Sequence, residues 1–216
     1  MAQPILDFWF EFASTYSYPA AMRIAAVTRD AGIALRWRPF LLGPIFATQG
    51  LTTSPFNVHA AKGSYMWRDV ARVCAALGLP FRRPDPFPQA SLLAARVALV
   101  GCENGWGERF VPTVYRAEFG DGLPIADRTV MAGLLRAIAV DPEPVLARAQ
   151  SDEIKGRLRA QTDEAQRIGL FGAPSFVTAD GELFWGNDRL EAALAWAKDE
   201  RNRLPRVSPS DASEGP

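Results

Sequence analysis

The stretch "ILDFWFEFASTYSYPAAMRIAAVTRDAG", residues 5–32, decides the fold. Its opening run, Ile5 to Phe12, is rich in β-branched and aromatic residues and predicts a first strand. Apolar side chains fall on both of its faces, which suits a central strand. After a turn containing Ser14, Thr15 and Ser17, the segment "AAMRIAAVTRDAG" repeats its apolar residues at helical spacing and stops at Gly32. "IALRWRPF", residues 33–40, then alternates apolar and basic residues as a second strand, so the chain opens β-α-β.

Outward from that unit, Leu41 to Phe56 has no period and reads as an irregular surface loop, a type of segment that often carries function. A helix is predicted over "VHAAKGSYMWRDVARVCAALG", residues 58–78. The prolines of "LPFRRPDPFP" that follow forbid both helix and sheet ladder. Helical patterns then run from Gln89 to Glu103, Trp106 to Phe119, Asp127 to Ala139 and Pro142 to Ile168. "PSFVTADGELFWG" is a hairpin turning at Asp180-Gly181, and a helix from Asn187 to about Glu200 closes the pattern.

The order is β-α-β, a block of helices, then β-β-α. That is an α/β thioredoxin-like fold with an inserted all-helical domain. Residues 1–57 and 169–202 make up the thioredoxin-like part, 58–168 the helical insertion, and 203–216 a tail too poor in apolar residues to repay ordering.

Bulk composition narrows the function. The chain has 216 residues, and its 24 basic and 24 acidic side chains balance, so no global field draws it to nucleic acid or an anionic membrane. A small ligand is expected. The two cysteines, Cys74 and Cys102, form no C-x-x-C pair and no metal-ligand spacing, as in a reduced cytosolic protein. "MAQPILDFWF" has no basic start and cleavage site, and its apolar run is far short of the roughly 20 residues of a membrane span. A cytoplasmic location is expected.

In a thioredoxin-type fold the first turn delivers the chain to the amino end of the first helix, where free backbone N–H groups and the helix dipole favour a negative charge. Redox members place a low-pKa cysteine there. Here the turn carries Ser14 and Ser17, so it can favour a thiolate but supplies no thiol. A ligand's thiol would fill that gap. The same hydroxyls also have an ordinary role as helix caps.

"GLFGAPSFV" sets Ala173 and Pro174 at the start of a strand, where a cis bond would leave the Ala173 backbone free to pair with an extended peptide-like ligand; an ordinary trans turn is the alternative. Asn187 and Asp188 open a helix, as caps or as holders of an amino-acid-like ligand's ends. His59 suits a solvated polar face or a ligand contact. Cys74 and Cys102 suit burial, and Trp37, Phe46, Trp67, Trp106 and Trp185 suit the core. Arg36 and Arg38 suit a strand's solvent face, or a grip on a substrate carboxylate.

The stretches "DFWFEFASTYSYPA", "RWRPFLLGPIF", "SPFNVHAAKGSYMWRD", "GLFGAPSFV" and "LFWGNDRLE" in this order resemble the 2-hydroxychromene-2-carboxylate isomerase family. That family is itself similar to kappa-class glutathione transferases, in the DsbA-like branch of the thioredoxin superfamily. The resemblance implies that Ser14 is the catalytic serine, hydrogen-bonding the sulfur of glutathione. It implies that Ala173 pairs with the tripeptide backbone beside a cis Pro174, that Asn187 and Asp188 hold the γ-glutamyl end, and that Asn57 is a further glutathione contact. Thr15 departs from the proline of many relatives.

The activity so implied is glutathione-dependent interconversion of 2-hydroxychromene-2-carboxylate, or a similar aromatic hydroxy acid, with trans-o-hydroxybenzylidenepyruvate in aromatic-compound catabolism. Arg36, Arg38 or Lys62 would meet the substrate's oxygens, and the family suggests a homodimer. The alternatives are a kappa-like transferase that conjugates electrophiles, and a non-catalytic DsbA-like protein that binds peptides along the Ala173 edge. Disulfide exchange is disfavoured, because serines form no mixed disulfide.

Overall fold

A computed structural model of the chain describes residues 3–199. The first strand, β1 (Ile5–Phe10), is central: it pairs in parallel with β2 (Ala34–Pro39) on one side and antiparallel with a third strand from the far end of the chain on the other. β1 ends two residues before the sequence reading placed its end. The Glu11 carbonyl leaves the ladder to accept hydrogen bonds from Ser14 N (3.0 Å) and Tyr115 Oη (2.9 Å). Between β1 and β2 lies α1 (Ser17–Asp30), which ends in a turn where Gly32 takes the left-handed φ of +69° that glycine adopts without cost.

The segment 41–56 is more ordered than its sequence suggests. It holds α2 (Leu42–Thr48) and leads into α3 (Pro55–Val58), started by Ser54, whose Oγ accepts from Phe56 N, with Pro55 as the first helical residue. α4 (Ala60–Ala76) follows. The proline-rich stretch runs on to Ser91, so α5 (Leu92–Glu103) starts later than Gln89. The Gln89 amide serves instead as a clamp, accepting from Ile125 N (2.8 Å) and donating to the Leu123 carbonyl (3.2 Å). α6 (Gly107–Tyr115) continues into a wider π turn at Arg116–Gly120.

Next comes α7 (Arg128–Ala137), capped by Asp127. The long helix expected over 142–168 is two, α8 (Pro142–Arg148) and α9 (Asp152–Arg167), because Ser151 caps the second through Ile154 N and Asp152 and Glu153 occupy its first turn. β3 (Ser175–Thr178) and β4 (Leu183–Trp185) complete a sheet of order β2-β1-β3-β4. Their connection, Ala179–Glu182, is longer than a two-residue turn; Gly181 supplies a φ of +85°. A 3-10 turn at Asn187–Arg189 precedes α10 (Leu190–Lys198). The tail expectation for residues 203–216 lies outside the described residues.

Alternation along β1 builds two cores. Leu6, Phe8 and Phe10 face one side, where Tyr18, Phe110, Tyr115, Phe119 and Phe176 pack with them and with Phe12 in edge-on and stacked pairs. Trp9 faces the other side with Phe40, Ile45, Ala165 and Leu170. The intervening Asp7, nearly buried, is held by Arg36 NH2 at 2.8 Å, while Arg38 lies over the Trp9 ring and reaches Glu164 at 3.2 Å. Arg36 and Arg38 are thus tied to carboxylates of the fold.

Phe10 is fully buried against Phe8, Phe12, Trp37 and Tyr115. Phe10→Ala should lower the unfolding free energy by about 3–5 kcal/mol, as cavity-forming aromatic truncations do, measured by urea denaturation against the parent chain.

Candidate active site

The carboxyl end of β1 opens onto a cavity of about 1070 Å³. Because β1 and β3 pair antiparallel with Trp9 opposite Ser175, the turn after β1 faces the residues just before β3. Ser14 Oγ–H donates to the Ala173 carbonyl at 2.8 Å, joining positions 159 apart in sequence. The Ala173–Pro174 bond is cis. Both Ser14 and Ala173 line the cavity.

No hydroxyl of the turn caps α1, whose first turn has no acidic residue. Ser14 is directed to Ala173, Thr15 Oγ1 donates to Met66 Sδ at 3.2 Å, and Ser17 is fully buried beside Tyr115. The capping role open to these hydroxyls is therefore unused. Through Met66, Thr15 ties the turn to α4.

Asn187 and Asp188 also line the cavity. Arg23 fixes Asn187, donating to its carbonyl at 2.7 Å and to its Oδ1 at 3.2 Å, and pairs with Glu191 as well. Asp188 is solvent-exposed, with Arg189 at 3.3 Å. Gly186 leaves room for it: a side chain there would meet the Asp188 carboxylate at 2.6 Å. Asn57 stands apart from the cavity lining. Its amide donates to Thr53 Oγ1 (3.3 Å) and the Phe87 carbonyl (3.2 Å), so it braces the wall on which Ser54 and Phe56 sit.

Lys62 lines the cavity without a carboxylate partner among the described residues, and so is the one of the three cations considered for the substrate that stands there. Tyr16 Oη–H is engaged by Asp69 at 2.9 Å, and burial together with that carboxylate pushes the phenol well up. His59 is exposed at the start of α4, outside the lining. Phe46 and Trp185, which the sequence assigns to the core, are cavity walls. Trp185 is 51% exposed, packs edge-on against Phe171 at 4.8 Å, and lies so close over Gly172 that any side chain there would strike the indole. Neither cysteine is present in the lining; burial raises the Cys74 and Cys102 thiols to about 11 and 12.

The feature sequence reasoning missed is Glu11. It lines the cavity three residues before Ser14 yet is only 6% exposed. Ser91 Oγ–H and the Ala13 N–H donate to its carboxyl, but burial outweighs both and raises it from 4.5 to about 7. Glu118, on the turn after α6, is fully buried; neither of its oxygens has a hydrogen-bond partner among the described residues, and burial followed by the nearness of Glu11 drives it well above the ordinary range. The available signal was an acidic residue in an otherwise apolar run, "FWFEF".

These carboxyls make the fold sensitive to alkali. Unfolded Glu11 ionises near 4.5 and folded Glu11 near 7, so its stabilisation is complete below about 4.5 and is lost as pH rises through about 7. That loss is about 3 kcal/mol, and Glu118 adds to it in the same sense. Urea unfolding followed from pH 4.5 to 8 should show the decline, and Glu11→Gln should flatten the part that falls below pH 7.

A family model described as a DSBA-like thioredoxin domain matches residues 5–195. The chain is similar to 2-hydroxychromene-2-carboxylate isomerase of Sphingobium xenophagum, at 27% identity over 195 residues, covering 90% of this chain and 98% of that one. It is similar also to glutathione S-transferase kappa 2 of Caenorhabditis elegans, at 26% identity over 206 residues, covering 86% and 88%. A solved structure of 2-hydroxychromene-2-carboxylate isomerase has the same fold, with a TM-score of 0.80 at 24% identity over 88% of this chain and 94% of that one.

Proposed function

The chain belongs to the DSBA-like thioredoxin domain family, and on that premise we propose that it is a glutathione-dependent isomerase of an aromatic hydroxy acid such as 2-hydroxychromene-2-carboxylate. The observation that carries the proposal is Ser14: a hydroxyl on the carbonyl before a cis proline, in a cavity whose lining contains no protein thiol.

The residues present fit glutathione. Ser14 offers a donor for sulfur, Ala173 a backbone edge, and Asn187 and Asp188 an amide and a carboxylate for the γ-glutamyl end. Pockets of about 300–1,000 Å³ hold single drug-sized ligands, so about 1070 Å³ has room for the tripeptide and a small aromatic acid together. Bound there, glutathione supplies a thiolate that adds reversibly to an unsaturated carbon and so frees a double bond to rotate.

The chain's own residues set the conditions for that chemistry. Ser14 favours the anionic form of sulfur when its hydroxyl turns from the Ala173 carbonyl to donate a hydrogen bond to the sulfur, and the amino end of α1 adds its dipole. Lys62 holds the substrate carboxylate. Phe46, Phe171 and Trp185 take the aromatic ring and exclude water. A kappa-like transferase is the second reading, supported by the likeness to the nematode protein named for that activity. The two differ in stoichiometry, because conjugation consumes the thiol and isomerisation returns it.

Incubation of o-hydroxybenzylidenepyruvate with enzyme and sub-stoichiometric glutathione should convert it fully, with free thiol constant by titration; one thiol lost per turnover would establish the transferase instead. Ser14→Ala should lower kcat roughly a hundredfold, as loss of one donor to a developing anion does, and change the glutathione Kd only a few-fold. Lys62→Met should raise KM for the substrate about tenfold with less effect on kcat. Full turnover in Ser14→Ala would end the assignment.

A further inference from the structure

We infer that Glu11 is the group that moves the substrate's proton between its two reacting oxygens, an inference that rests on the isomerase reading above. The argument begins with position. Glu11 lines the cavity that Ser14 and Lys62 line, and it is fixed at both ends. Its carbonyl is bound by Ser14 N and Tyr115 Oη, its carboxyl by Ser91 Oγ–H and the Ala13 N–H. A group so held lends itself to proton transfer, because it gives up no rotamer freedom when it acts.

The groups facing it leave the carboxyl poised between its two forms. From α5's leading edge comes the neutral Ser91, from α6 the phenol Tyr115, and from the following turn the carboxyl Glu118; among the described residues no arginine or lysine pairs with Glu11. With two donors for the carboxylate and a dry site against it, proton affinity settles at about 7, where acid and base forms coexist near neutrality.

The reaction needs such a group. In the cyclic form one carbon carries both a hydroxyl and the ring oxygen. Opening the ring removes the hydroxyl proton, whose O–H electron pair becomes the new C=O π bond. The C–O bond to the ring oxygen breaks, its electrons stay on that oxygen, and the resulting phenolate takes up a proton. Glu11 as carboxylate accepts the first proton and delivers it to the ring oxygen, ending as it began; closure is the reverse. No electrons or further reactants are required.

The test compares the wild type with Glu11→Gln, Ser91→Ala and Glu118→Gln, each checked by near-ultraviolet circular dichroism and by calorimetric titration with glutathione. Glu11→Gln should lose about 10²- to 10³-fold in kcat and the limb of its pH profile near 7, with glutathione affinity unchanged. Infrared difference spectra should show a protonated carboxyl disappearing across that same pH range in the wild type and in Glu118→Gln, and absent from Glu11→Gln. Ser91→Ala, which removes a bond to the carboxylate, should move limb and infrared transition together to higher pH.

A folded Glu11→Gln with wild-type kcat and pH profile overturns the inference. If Glu11→Gln fails to fold, an unmoved limb in Ser91→Ala overturns it. A wild type that turns over no substrate with glutathione overturns the isomerase reading, and the inference with it, whereas the Glu11→Gln result in an active enzyme bears on Glu11 alone.

Discussion

The hydrogen bond from Ser14 to the Ala173 carbonyl depends on one constraint, the register of β1 against β3. A slip of one residue would turn Phe8 and Phe10 away from the aromatic core and put Asp7 and Trp9 in their place. The two faces of β1 are so unlike that no neighbouring register is tolerable. With register fixed, the turn after β1 and the Gly172–Ala173 backbone can only meet at the sheet's end, and the cavity is the space left above them.

Packing that fixes the strand also sets the chemistry beneath the cavity. Phe10 and Phe12 flank Glu11, and Tyr115 and Phe119 flank Glu118 within the same run of rings. Two carboxyls enclosed in that cluster, without a cation paired to either among the described residues, oppose folding once ionised. A protein selected for stability alone would have apolar residues there. Glu11 lines the cavity and Glu118 lies buried behind it, an instance of local rules being broken at a candidate site.

Much of this was legible in the sequence. The period changes after Phe12 and after Gly32 identify strand and helix unaided, and the block of helices between two strand regions gives the topology. Ser14, Ala173, Asn187 and Asp188, drawn from opposite ends of the chain, meet at one cavity. What was not legible turns on partners far away in sequence. Arg36 and Arg38 look free until Asp7 and Glu164 are beside them. Trp185 and Phe46 have core composition, and only the tertiary arrangement leaves them open to the cavity. Asn57, on a matching stretch, points its amide into the wall. Glu11 was absorbed into a strand that stops just short of it. Two signals were present and unread: Ser54-Pro55 and Ser151-Asp152-Glu153 are both helix starts, one inside an assumed loop and one inside an assumed helix.

The placement of the two cysteines has its own consequence. With thiols at about 11 and 12, the protein's sulfur is ionised to no more than on the order of one part in ten thousand at pH 7. The thiolate is the form that attacks peroxides and disulfides, so oxidants in the surrounding medium find little reactivity at either cysteine. Regulation through a protein disulfide or a sulfenic acid is therefore disfavoured at both cysteines.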